Sequence, residues 1–164
     1  MERARVPLLP RISVNQNKVR IPEKTASKLA KAILGALGFT DAELSILIVD
    51  DEEMARINGE YRGVDETTDV LSFPMAEGEF GDICPEMLGD VVISAPTAQE
   101  MADLHGCSLE DVIALLLVHG VLHLTGLDHE ESDDAARQTD EKTLQLLSAI
   151  GKDPSTFGWY ATAG

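Results

Sequence analysis

No stretch of this sequence is apolar for long enough to cross a bilayer. The longest run, V-I-A-L-L-L-V from Val112 to Val118, falls far short of the roughly 20 residues a membrane helix needs, and it reads as a buried core helix. Cysteine is nearly absent: Cys84 and Cys107 have neither close pairing nor metal-ligand spacing, which excludes a disulfide framework and fits ordinary reduced thiols. The opening M-E-R-A-R-V-P lacks the apolar core of a signal peptide, so a cytoplasmic location is expected. Basic residues are few as well. Thirteen Lys and Arg stand against 29 Asp and Glu, for a formal charge of −16, and no DNA partner is expected from such a balance. Residues 1 to 31 are the exception, with eight basic residues against Glu2 and Glu23. That segment either steers a phosphate backbone to one face or is simply a solvated surface.

What the sequence does contain is enough apolar content, 44% of 164 residues, for one ordinary core. Strand and helix signals alternate. Arg11 to Val14 reads as a short strand and Lys24 to Leu37 as an amphipathic helix stopped by Gly38. Leu44 to Val49 is a strong strand signal, followed by an acidic helix start, D-D-E-E, running toward Tyr61. Val70 to Phe73 and Leu88 to Ile93 are further strands, and Ser94 starts a helix. Ser108 caps the next, which runs to Leu124 over about 25 Å and is apolar nearly all round, hence central. A last helix spans roughly Asp133 to Ile150. The expected unit is residues 1–150, with 151–164 as a loosely structured tail.

Three of the four histidines fall within H-G-V-L-H-L-T-G-L-D-H, His119 to His129. His119 and His123 are four apart, so on a helix both leave from one face, one turn apart. Gly126 can turn the chain back and bring His129 toward them. Three imidazoles suit one zinc or similar divalent ion per chain, and three protein ligands leave a fourth position open, as in catalytic zinc sites. Ligation requires neutral imidazole, so activity that depends on it should fall below about pH 6. Asp128 either accepts the free N–H of a ligating ring or is a turn residue facing solvent. His105, at the end of a predicted helix, is read as structural.

The same spacing occurs in metzincin peptidases, so a zinc-dependent peptidase is one alternative. It lacks two parts here. The general base that follows the first histidine in zincins is replaced by Gly120, and no methionine lies beyond Met101 to form the methionine turn. A structural metal module would instead seal the fourth position, with Cys84 or Cys107 as the donor to look for.

Three segments together resemble the YbeY family of bacterial endoribonucleases: N-G-E-Y-R (Asn58 to Arg62) with T-D-V-L-S-F-P (Thr68 to Pro74), L-G-D-V-V-I-S (Leu88 to Ser94), and the histidine motif. The resemblance implies a single α+β domain, with a small mixed β-sheet and about five helices around a central metal-bearing helix. It implies single-strand-specific, metal-dependent cleavage of RNA, maturation of the small-subunit ribosomal RNA 3′ end, ribosome quality control, and ribosomal particles or associated proteins as partners. A non-catalytic ribosome-assembly factor is the remaining alternative. Carried over by position, the metal ligands are His119, His123 and His129, and the family's essential arginine is Arg62. A guanidinium presents a permanently charged fork that matches phosphate oxygens. Without the resemblance, an ion pair of Arg62 with Asp65, Glu66 or Asp69 is equally good. Thr68 and Asp69 either shape the same cleft or are turn residues. The nucleophile is open between water and the ribose 2′-hydroxyl.

Overall fold

Residues 10–39, 42–74, 87–125 and 133–162 are described by the computed structural model. In chain order they form β1 (Arg11–Asn15), α1 (Glu23–Leu37), β2 (Glu43–Val49), α2 (Asp51–Arg62), β3 (Val70–Pro74), β4 (Met87–Ser94), α3 (Ala95–His105), α4 (Leu109–Leu124), α5 (Asp133–Ala149), a 3-10 turn (Pro154–Phe157) and α6 (Gly158–Thr162). The sheet order is β1-β2-β4-β3. The first three of these strands run parallel, and β3 closes one edge antiparallel to β4, with Ser72 opposite Val91. This is the single-domain α+β arrangement with a small mixed sheet that the resemblance implied.

The period-2 pattern of β2 explains how the sheet is covered. Leu44, Ile46 and Ile48 enter the main core with Val91, Ile93 and the apolar faces of α1, α4 and α5. Val49 turns the other way and joins Met54, Ile57, Leu71 and Val92 in a second, smaller core under α2. Helix α4 is central because little of its circumference is polar: 11 of its 16 residues are buried. Burying it at that density locks its remaining side chains, the histidines included, into fixed positions before any ligand arrives.

Local signals set the helix ends. Asp50, Ser94 and Ser108 each accept a backbone N–H of the first turn of α2, α3 and α4, satisfying donors that a helix start leaves open. Helix α4 ends at Leu124 with Thr125 as its cap; the expected stop at Gly126 lies outside the described residues.

The tail differs from expectation. After Gly151 the chain does not trail off but forms the 3-10 turn and α6, a sixth helix. Phe157 is fully buried in the main core, and the Lys152 ammonium pairs with both Glu110 and Asp111 at 3.2 Å, tying the segment to the start of α4. Three aromatic residues within four positions, Phe157, Trp159 and Tyr160, supply the apolar area that orders it.

Candidate active site

Position 120 decides how α4 meets the sheet. A Cβ built on Gly120 would lie 2.8 Å from Val91 Cγ1 and 3.3 Å from Ser72 Oγ, so only glycine lets the helix approach β3 and β4 this closely. The Ser72 hydroxyl donates to the Gly120 carbonyl at 3.0 Å. The residue that would carry a peptidase's general base therefore faces packed strand side chains and has no room for any side chain.

On the neighbouring face the two helical histidines converge. Their Nε2 atoms are 3.1 Å apart and their ring centroids 4.6 Å. Two imidazole nitrogens sharing a tetrahedral zinc at about 2.0–2.1 Å are held about 3.3 Å from each other, so this pair fits two ligands of one such ion. Nitrogen donors of this kind suit zinc and its first-row neighbours. His129 lies outside the described residues, as do Asp128 and Cys84. Among the described residues no group of three potential metal ligands gathers. Tyr160 completes the neighbourhood, with its hydroxyl 2.7 Å from His119 Nδ1. Burial pushes the Tyr160 phenol up to about 12, and the carboxylates of Asp140 and Asp69 add to the rise, so it stays protonated at neutral pH. Asp69 is thus in electrostatic reach of the site while its own carboxylate accepts the Val70 N–H at 2.7 Å.

Arg62 sits in the last turn of α2, exposed to solvent. Helix α2 covers the sheet face that carries Leu71 and Phe73, whereas Ser72 reaches α4 from the other face. Among the described residues Arg62 makes no ion pair with Asp65, Glu66 or Asp69. Other arginines are engaged: Arg56 bonds Glu53 and Glu60, and Arg11 lies 3.5 Å from Glu43.

The rest of N-G-E-Y-R fixes the loop that follows Arg62. Asn58 is buried and its side-chain amide donates to the Glu66 carbonyl at 2.8 Å. A Cβ at Gly59 would overlap the carboxylate of Asp65, an exposed side chain that the loop lays against this position of α2. The far end of the loop is pinned by Asp51, whose Oδ1 accepts from Ser94, Thr97 and Thr67 at 2.6, 2.7 and 3.0 Å. Burial pushes the Asp51 carboxyl up, but these three hydroxyls and the charge of Lys18 outweigh it and hold the group below its ordinary value. A depressed folded-state value stabilises the fold above the unfolded carboxylate range, and that contribution is lost as pH falls through the folded value. Asp51→Asn is therefore expected to lower stability at neutral pH, with the gap to wild type closing as pH falls through the depressed folded-state value. Urea unfolding at several pH values measures it, and a gap independent of pH would contradict the assignment.

A mixed-sheet α+β domain with a paired-imidazole site on its central helix is the class that fold and geometry define. The family model of endoribonuclease YbeY matches residues 11–151. A relative from Geobacter sulfurreducens, named endoribonuclease YbeY, is 43% identical over 140 residues, covering 85% of this chain and 93% of the relative. One of the same name from Aquifex aeolicus is 42% identical over 142 residues, covering 87% and 93%. The solution structure of TM1509 from Thermotoga maritima superposes with a TM-score of 0.61 at 23% identity, over 94% of this chain and 93% of that one, and shows the same fold. The chain belongs to the YbeY family.

Sequence reasoning missed Tyr160 and the two buried threonines on α5 near it, Thr139 and Thr143. A signal existed. Threonines four apart on an otherwise apolar helix face are polar groups that need a partner.

Proposed function

We propose that this chain is a metal-dependent endoribonuclease that cleaves single-stranded RNA, with one divalent ion, zinc first, held by His119, His123 and His129. The observation that carries this reading is the 3.1 Å approach of the two Nε2 atoms, in a family whose curated relatives are named endoribonucleases. When bound, the ion supplies Lewis acidity at the scissile phosphodiester. The protein's own contribution is positional and electrostatic. The histidines are fixed by the buried helix, and the Arg62 guanidinium binds non-bridging phosphate oxygens and stabilises charge that builds up on them. Gly120 supplies no base, so proton removal from the nucleophile falls to solvent or to substrate oxygens. Its cellular setting is the cytoplasm, acting on small-subunit ribosomal RNA at its 3′ end and in ribosome quality control, with ribosomal particles as partners.

The test begins with the purified chain. Metal analysis is expected to give about one zinc per chain. A single-stranded RNA should be cut while a duplex of the same sequence is spared; chelation should abolish cutting, and added Zn²⁺ should restore it. Cleavage that persists with the metal stripped would overturn the proposal. Cyclic phosphate ends on the products would identify the 2′-hydroxyl as nucleophile.

A further inference from the structure

Tyr160 lies beyond the residues that the family model matches, 11–151, yet it reaches the site. Its hydroxyl is 2.7 Å from His119 Nδ1, across 41 residues of sequence. The contact is held from several sides. Phe157 is buried in the core. The Trp159 ring stacks on His105 with centroids 3.8 Å apart and planes within 4°, and its indole N–H donates to the Thr156 carbonyl at 3.1 Å.

The two rings turn Nε2 toward one another at 3.1 Å, and His119 turns Nδ1 toward the Tyr160 hydroxyl. A neutral imidazole that ligates through Nε2 carries its one proton on Nδ1, and in that state the phenol oxygen is the acceptor.

We propose that Tyr160 is a positioning residue, whose hydroxyl accepts the Nδ1–H of His119 and holds that ring in the tautomer that presents the Nε2 lone pair for ligation. The contact itself is present in the metal-free fold; its use rests on the metal-centre reading above. An outer partner of this kind raises the basicity of the ligating nitrogen and fixes the ring's orientation, and its loss costs about 10–100-fold in metal affinity.

The experiment uses the full chain, metal-free, with ¹⁵N-labelled histidine. Nuclear magnetic resonance of the ring nitrogens should show His119 of the wild type as one tautomer, protonated at Nδ1. Tyr160→Phe, which keeps the ring packing, should give a mixture. Zn²⁺ affinity, measured by competition with a chromophoric chelator, should fall about 10–100-fold in Tyr160→Phe, with thermal melting showing that the variant is folded. A wild-type His119 protonated at Nε2, or a Tyr160→Phe variant binding Zn²⁺ as tightly as wild type, would overturn the proposal. Failure of the wild type to bind Zn²⁺ would sink the metal-centre reading instead, while the tautomer of the metal-free chain still decides the Tyr160 contact.

Discussion

His123→Ala is expected to lose bound metal and RNA cleavage together, whereas Arg62→Ala loses cleavage by about 10²–10³-fold and keeps its metal. The two substitutions separate the two halves of the proposed chemistry. Removing His123 deletes one of the two nitrogens that meet at 3.1 Å, and one imidazole on this helix cannot make a chelate. Arg62 is in the last turn of α2, exposed and without an ion pair among the described residues. Its removal leaves no buried charge behind, so folding should be nearly untouched. What it removes, in the proposed chemistry, is a fork-shaped cation for the phosphate as charge develops. Arg62→Lys should recover only part of the activity, because an ammonium keeps the charge but not the two parallel N–H donors. Single-turnover cleavage and metal content, measured on the same preparations, decide the matter. Cleavage by Arg62→Ala at the wild-type rate would remove this residue from the site.

The second large effect concerns stability. Gly120→Ala is expected to cost about 1–3 kcal/mol, the usual range for overpacking. The new methyl group would lie 2.8 Å from Val91 Cγ1 and 3.1 Å from Val91 Cγ2, and a β-branched side chain on a central strand has no easy rotamer to retreat into. The Ser72 hydroxyl, which donates to the Gly120 carbonyl, would be displaced in the same movement. Denaturant unfolding measures the cost. In a Val91→Ala background the same substitution should cost distinctly less, because the atoms it strikes are gone; equal costs in both backgrounds would show that the two residues do not press on one another.

Much of the architecture was legible because its signals are local. The apolar alternation of β2 marks both faces of the sheet, the caps at Ser94 and Ser108 mark helix starts within a residue, and the i, i+4 spacing of His119 and His123 places two rings on one face. What stayed hidden depends on contacts between distant residues. Gly120 could be read as the absence of a base, but its packing reason requires Val91 and Ser72 to be beneath it. The tail was misread because its order comes from a core that the preceding helices build: Phe157 has nothing to bury against until α4 and α5 are in place. Tyr160 followed it out of view, although three of the chain's seven aromatic residues fall in that segment.

The contact between Gly120 and the strands has an evolutionary reading. A glycine codon is one base change from one for glutamate, so the histidine spacing of this chain stands a single mutation from the zincin pattern. Any side chain placed there meets Val91 first, so that single step carries a packing cost, and the glycine that lets the helix lie close to the strands also keeps the zincin base out of this motif.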